Sequence, residues 1–339
     1  MKLLPNLDYN FKEYMDLLVE PVKTSLLLNS IKYKVFDHLK NFETPETITE
    51  ILGTHLINTT HFLNALASCE FIIKKDGKYK NSPKADLYLV SDSEYYLGEA
   101  ITFNYEWYRP AVENLPQLVE KGPESYSDLK SESDELWKNV TRIFEKFQKT
   151  GTAKQFAEKI VKLPEFGNFK KMLDLGCSAG LIGMSITAEH PEMKCVLLDK
   201  PMVAETTKKI VAEHNMTNRV EVMGADYLSE PIGEGYDLII ASATLYFAKN
   251  NISEVTKKIF EALNPGGIFV SYHEGFFNED TQPVNLVLSW MGSMLTGQNI
   301  SYSKGELASE MLKAGFSSVH SETTRDIFGD MEFEVARKL

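Results

Sequence analysis

The sequence predicts an α/β protein in which a doubly wound, mostly parallel sheet of seven strands fills the C-terminal half, behind a mainly helical N-terminal domain. Three observations carry this reading. From Lys171 onward, short apolar runs (KMLDLG, KCVLLD, RVEVMG, YDLIIAS, GGIFVSYHE) alternate with amphipathic stretches, as a parallel sheet covered on both faces requires. Between Tyr14 and about Leu66, apolar residues such as Leu26, Ile31, Val35, Phe36 and Leu39 recur at three- and four-residue spacing, the signature of packing helices. The 339 residues are 43% hydrophobic and 25% charged, enough for two cores.

In the N-terminal part, Thr47 followed by Glu50 fits a capping box ahead of Ile51 and Leu52, and Gly53 closes that short helix. A second helix is expected over Thr59 to Cys69. FIIKKDGKYKNSP then reads as two short strands about an Asp76-Gly77 turn, closed by Pro83. Two helices and a hairpin in this order suggest a winged helix. DNA binding does not follow, because residues 1–100 hold eleven Lys, no Arg and fourteen acidic residues, and the helix TTHFLNALAS has no Lys or Arg for phosphates or base edges. A dimerising role for 1–100 is the expectation. Residues 101–165 read as a helical linker that contributes to a substrate pocket, with 121–134 (KGPESYSDLKSESD) as a loop. In the aromatic run FNYEWYRP, Trp107 and Tyr108 either pack a core or wall that pocket.

Charge narrows the partners. A net −12 and a pI near 5.2 disfavour nucleic acid and anionic membranes, so a small-molecule partner is expected. Cys69, Cys177 and Cys195 match neither a zinc pattern nor a disulfide framework, which points to reduced thiols in a cytoplasmic protein. The first apolar run breaks at Pro5 and Asp8, so a signal-peptide core is not expected, and no run approaches the roughly 18 apolar residues of a membrane span. His38, His55, His61, His190, His214 and His320 show no ligand spacing, and no metal is expected.

The strongest motif is MLDLGCSAG, residues 172–180. A buried strand ends near Asp174, and the chain turns through Gly176, Ser178 and Gly180 into the helix LIGMSITAEH, where small residues allow a tight path and close ligand approach. Asp199 ends the next strand, where a carboxylate accepts both hydroxyls of an adenosine ribose, with Lys200 beside it. GADYL follows a third strand and places Asp226 and Tyr227 where a loop meets the adenine. Gly176, Ser178 and Gly180 depart from the G-x-G-x-x-G order that serves a pyrophosphate. An acidic lining suits instead a cofactor that carries ammonium and sulfonium charges and no phosphate, Asp174 acting indirectly or as a turn cap.

On these motifs, residues 166–339 resemble a Rossmann-like class I S-adenosylmethionine (SAM)-dependent methyltransferase. Nearly the whole chain is similar to the small-molecule O-methyltransferase family, whose N-terminal winged-helix domain forms a homodimer. DLGCSAG resembles the family's first motif, GAD its adenine loop, ALNPGG its turn before the fifth strand, and LSWMGSMLTGQNISYSKGELASEMLKAGF its closing helix and "GF" ending. The resemblance implies SAM as cofactor, S-adenosylhomocysteine as product, and methyl transfer to an oxygen or carbon of a planar or aromatic acceptor.

Members that methylate phenols carry a His-Asp pair after the fourth strand, where this chain has Tyr246 and Phe247. Tyr246 at that place resembles the family's bacteriochlorophyll C-20 methyltransferases, which methylate a carbon of a tetrapyrrole. Those relatives hold the pigment's metal with a His where this chain has Trp290, which lacks a metal-binding lone pair and suits stacking on a flat acceptor. Tyr246 either orients the acceptor or relays a proton, and His273, with Glu274 next to it, is the alternative base. Trp107, Tyr108, Phe147, Trp290 and Met294 are the expected pocket residues. Loss of the His-Asp pair keeps a non-methylating SAM reaction (hydroxylation, decarboxylation or a pericyclic step) as an alternative, and a SAM-sensing winged-helix regulator as a further one.

Overall fold

The computed structural model describes residues 11–123, 134–298, 300–326 and 329–339. Most of the stretch 121–134, and the chain start with Pro5 and Asp8, lie outside them. The chain divides into two compact units, 1–104 and 105–339.

In the first unit, helices Lys12–Leu17, Glu20–Lys32, Pro45–Leu52 and Leu56–Ser68 precede two antiparallel strands, β1 (Ile72–Lys75) and β2 (Lys78–Asn81). Asp76 (φ +49°) and Gly77 (φ +73°) both turn left-handed, the geometry of a two-residue hairpin. Val35, Phe36, Leu39, Ile48, Leu63, Leu66, Ile72 and Tyr79 form its core. The cap of Pro45–Leu52 is Thr44 and not Thr47: the Thr44 hydroxyl accepts the Thr47 amide at 3.3 Å, because Pro45 fixes the first helical residue and starts the helix earlier. Gly53 closes it at φ +62° as expected. The next helix begins at Leu56, three residues ahead of the sequence reading.

The second unit is built on a seven-stranded sheet of β3 (Lys171–Leu175), β4 (Lys194–Asp199), β5 (Val220–Gly224), β6 (Tyr236–Ser242), β7 (Leu263–His273), β8 (Ser318–Asp326) and β9 (Gly329–Arg337), in the order β5-β4-β3-β6-β7-β9-β8. The first five pair in parallel, and β9 runs antiparallel between β7 and β8. Apolar residues alternate between the faces: Leu238, Ile240, Ile268 and Val270 meet Phe156, Ile160, Met184 and Ile210, while Ile239, Ala241 and Phe269 meet Val255, Ile259, Leu307 and Met311. Residues 264–267 loop out between the pairs Tyr236↔Leu263 and Leu238↔Ile268, which is where NPGG turns. Gly315 (φ +113°) ends helix Glu306–Ala314, and Phe316 packs edge-on against Phe260 with centroids 5.1 Å apart. No helix among the described residues is long and apolar enough to cross a membrane.

Strand order reverses between β3 and β6. In open parallel sheets the loops at such a switch point diverge and leave a crevice at the carboxyl ends of the strands.

Candidate active site

The loops after β3, β4 and β5 meet on one side of that crevice. After β3, Gly176 (φ +69°), Ser178 (φ +49°) and Gly180 (φ +77°) turn the chain into helix Leu181–Ala188. A Cβ on Gly176 would overlap the Thr244 side chain, and one on Gly180 would sit 2.5 Å from Leu197 Cδ1, so both positions need glycine for space as well as conformation. Gly176→Ala is therefore expected to destabilise the protein by about 2 kcal/mol, read as a fall in the midpoint of chemical denaturation.

Asp199 is tied to this turn. One carboxylate oxygen accepts the Ser178 amide at 2.7 Å and the other the Lys200 amide at 2.8 Å. A carboxylate offers about four lone-pair sites, so each oxygen keeps capacity for one more donor, the demand of a ribose 2′,3′-diol. Burial pushes Asp199 up, against the pull of those two amides. Asp174 lies lower, 2% exposed, and accepts the Gly183 amide at 3.0 Å; burial raises it to about 7, and the Asp199 charge adds to this. That position braces the helix start beneath the turn. In the third loop, Asp226 accepts the Leu228 amide at 3.0 Å and Glu230 accepts the Asp226 amide at 2.7 Å, closing a tight turn. Lys200 points its ammonium over the Trp137 ring at 5.7 Å. Asp199 and Asp226 thus present acceptor oxygens at two neighbouring strand ends, which suits the hydroxyl and amino donors of a nucleoside.

On the other side of the crevice, the loop after β6 carries Tyr246. Its two preceding residues are held by three side chains from three different segments. Tyr227 donates its hydroxyl to the Thr244 carbonyl and Tyr302 to the Leu245 carbonyl, each at 2.7 Å. His273 Nε2 accepts the Thr244 amide at 3.0 Å and the Leu245 amide at 2.7 Å. An Nε2 that accepts puts the ring proton on Nδ1, facing Ser271 Oγ at 3.1 Å. The ring is 1% exposed, and burial lowers its pKa to about 3. The geometry thus corrects the expectation of His273 as a base: a proton on Nε2 would displace both amides, and the imidazole acts as a neutral clamp.

The Tyr246 ring lies 5.2 Å from Trp290, tilted by 58°, and edge-on to Phe247 (5.2 Å) and His273 (5.8 Å). Burial, with the Glu274 charge, holds its phenol well above the ordinary tyrosine value, so it stays protonated. A small cavity beside the Tyr246 and Trp290 rings is lined by Tyr246, Glu274, Leu286, Trp290, Ile300, Ser301 and Tyr302. The structure thus brings together Tyr246 and Trp290, but not all the predicted pocket residues. Trp107, Tyr108 and Met294 are exposed, and none of them lines the cavity. Phe147 ends helix Asp134–Phe147 with its ring 6.4 Å from Phe144.

Four contributors escaped the sequence reading. Thr244 and Tyr302 are used through backbone contacts made across long sequence separations. Gln148 accepts the Leu181 amide at 3.3 Å and so steadies the cofactor-side helix. Trp137, edge-on to Phe247 at 5.8 Å, had a signal: Trp137, Val140, Phe144 and Phe147 form one helical stripe.

Known proteins resemble this chain in sequence and in fold. The profile of the O-methyltransferase domain matches residues 130–273. An uncharacterised protein of Methanocaldococcus jannaschii is 30% identical over 254 residues, which cover 73% of this chain and 65% of that protein, just under two thirds of its length. A 3-hydroxy-5-methyl-1-naphthoate 3-O-methyltransferase of Streptomyces sahachiroi is 22% identical over 311 residues, 88% of this chain and 87% of that enzyme. Human N-acetylserotonin methyltransferase, solved in complex with SAM, shares the fold at a TM-score of 0.79 and 17% identity, over 98% of this chain and 99% of its own. Residues 130–273 thus match an O-methyltransferase domain, and most of the chain is similar to SAM-dependent methyltransferases and shares their fold.

Proposed function

We propose that this protein binds SAM in the β3–β4–β5 loops and transfers its methyl group to an oxygen or carbon of a planar, aromatic small molecule that docks beside the Tyr246 and Trp290 rings. The observation that carries the reading is Asp199, fixed by two amides with one acceptor site left on each oxygen, at the end of the strand next to the switch point of the sheet. Asp199 holds the ribose, Asp226 and Tyr227 frame the adenine, and the Gly176–Gly180 turn lets the rest of the cofactor approach the backbone. Bound SAM supplies an electrophilic methyl group. What the chain's residues add is orientation, which is worth about 7–11 kcal/mol when the reacting atoms are held in line. The clamp on Thr244 and Leu245 fixes Tyr246 for that purpose. A protonated Tyr246 donates a hydrogen bond to the acceptor and does not act as its base near neutral pH. The flat acceptor is supported by the aromatic walls and by the naphthoate in the Streptomyces relative's name.

An acceptor library that includes phenols and tetrapyrroles, assayed for S-adenosylhomocysteine release, tests the reading. Planar members should turn over, and release no faster than without acceptor across all classes would count against it. Tyr246→Phe should lower kcat about tenfold with cofactor affinity unchanged; equal turnover would make Tyr246 a wall only.

Exposed Phe11, Tyr14, Leu17, Leu18 and Val22 support a homodimer formed through the N-terminal unit. Three free cysteines, with Cys177 and Cys195 buried, fit a reducing cytoplasm.

A further inference from the structure

We infer that Glu334 is a positioning residue for the proposed transfer: it accepts the Ser271 hydroxyl, which fixes the ring proton of His273 and so holds the loop that carries Tyr246. Its effect on rate rests on the transfer proposed above. Because His273 Nε2 accepts the Thr244 and Leu245 amides, the ring proton sits on Nδ1 and is donated to Ser271 Oγ at 3.1 Å. The Ser271 hydroxyl must then give its own proton to another acceptor. Ser271 is fully buried, and among the described residues its Oγ has no second partner. Directly opposite it, across β7 and β9, stands Glu334, 2% exposed, whose buried Oε2 has no hydrogen-bond partner. An orphan donor thus faces an orphan acceptor, and each costs free energy in a core while unpaired.

Face and reach both allow the pair. Opposed residues of an antiparallel pair project to one face with Cβ atoms about 4.5–5.5 Å apart, within the span of a serine and a glutamate side chain. His273, two residues on from Ser271, shares that face. A cavity of about 10 Å³, lined by His273, Tyr302 and Glu334 among others, gives the carboxyl group room to turn. The titratable and charged groups about it are Glu332 on its own strand, His273 and Glu274 at the end of β7, and Tyr302 and Lys304 ahead of helix Glu306–Ala314. Burial and the Glu332 charge raise Glu334 to about 7, against the pull of the Ala308 amide and the Ser321 hydroxyl. At pH 8 it is therefore ionised and only accepts. Without it, the Ser271 hydroxyl is free to turn its proton toward Nδ1, which would drive the ring proton to Nε2 against the two amides.

The test follows the His273 ring nitrogens by NMR in the full protein labelled with 15N-histidine, its signals being those missing from His273→Gln. At pH 8 the wild type and Glu334→Gln should both show the proton on Nδ1, since an amide oxygen also accepts. Glu334→Met, apolar and of similar length, should shift the Nδ1 resonance and lower kcat about fivefold with KM unchanged, and Glu334→Gln should restore most of the rate. The wild-type resonance should also move with a midpoint near pH 7, as Glu334 takes up its proton and accepts less strongly, and stand still in Glu334→Gln, which does not ionise. That comparison decides the matter even where Glu334→Met does not fold. A resonance unmoved by Glu334→Met, or moving with pH alike in the wild type and Glu334→Gln, would overturn the inference. Expected spectra with an unchanged kcat in Glu334→Met would overturn the positioning role. Expected spectra with no planar acceptor turned over would sink the proposed transfer and leave the hydrogen-bond chain standing.

Discussion

Asp199→Ala is expected to raise the dissociation constant for S-adenosylhomocysteine about 100-fold. The size follows from the lost partners. Two hydrogen bonds from ribose hydroxyls to one carboxylate disappear, each worth about 1.5 kcal/mol, the lower end for a charged acceptor. The same substitution frees the Ser178 and Lys200 amides, so the turn itself loosens. Asp199→Asn separates the two effects, because it keeps one acceptor oxygen and the shape of the side chain. Its affinity should fall between those of the wild type and Asp199→Ala. Calorimetry with S-adenosylhomocysteine, and with a dinucleotide as control, reads all three. An unchanged affinity in Asp199→Ala would remove the ribose assignment.

His273→Gln should cost about 3 kcal/mol of stability at pH 7.5, since two buried amides lose the acceptor that serves them both. The cost should depend on pH. An ordinary histidine takes up its proton near pH 6.5, whereas burial holds His273 down to about 3. Its contribution is thus complete above pH 6.5 and is lost as the pH falls, because the unfolded chain binds a proton that the folded one refuses. The loss is about 1.4 kcal/mol per pH unit. The gap between wild type and His273→Gln should therefore shrink from pH 6.5 downward and nearly close by about pH 4.5. Asp174 and Glu334, both raised to about 7, act in the opposite direction, losing stability as the pH rises from the ordinary carboxylate range toward 7. They are common to both proteins and cancel in the difference. A gap that stays constant from pH 7.5 to 4.5, measured by urea unfolding, would mean that the imidazole is not the clamp.

These predictions divide along what the sequence made legible. The sheet was readable because each buried strand is a short apolar run, and the Asp76-Gly77 hairpin because both residues tolerate a left-handed turn. Asp174, Gly176, Ser178, Gly180, Asp199 and Asp226 stood out because each sits within a few residues of a strand end. The helix cap was misread by three positions, since Thr47 and Glu50 fit the capping pattern while Pro45 sets the start. The acceptor side was harder for a physical reason. His273 meets amides 28 and 29 residues away in sequence, and Tyr302 a carbonyl 57 away, so no local pattern signals the clamp. Adjacency of His273 and Glu274 suggested a base and its partner, but the first turns to the β6 loop's amides and the second lines the cavity with Tyr246 and Trp290.

Transfer of a labelled methyl group tests the central claim most directly. The protein is incubated with methyl-deuterated SAM and an acceptor that drives S-adenosylhomocysteine release, and the product is analysed by mass spectrometry. The account predicts one deuterated methyl group in the product for each S-adenosylhomocysteine formed. A product altered without label, with SAM left intact, would contradict it and assign the site to a reaction that binds the cofactor without spending its methyl group.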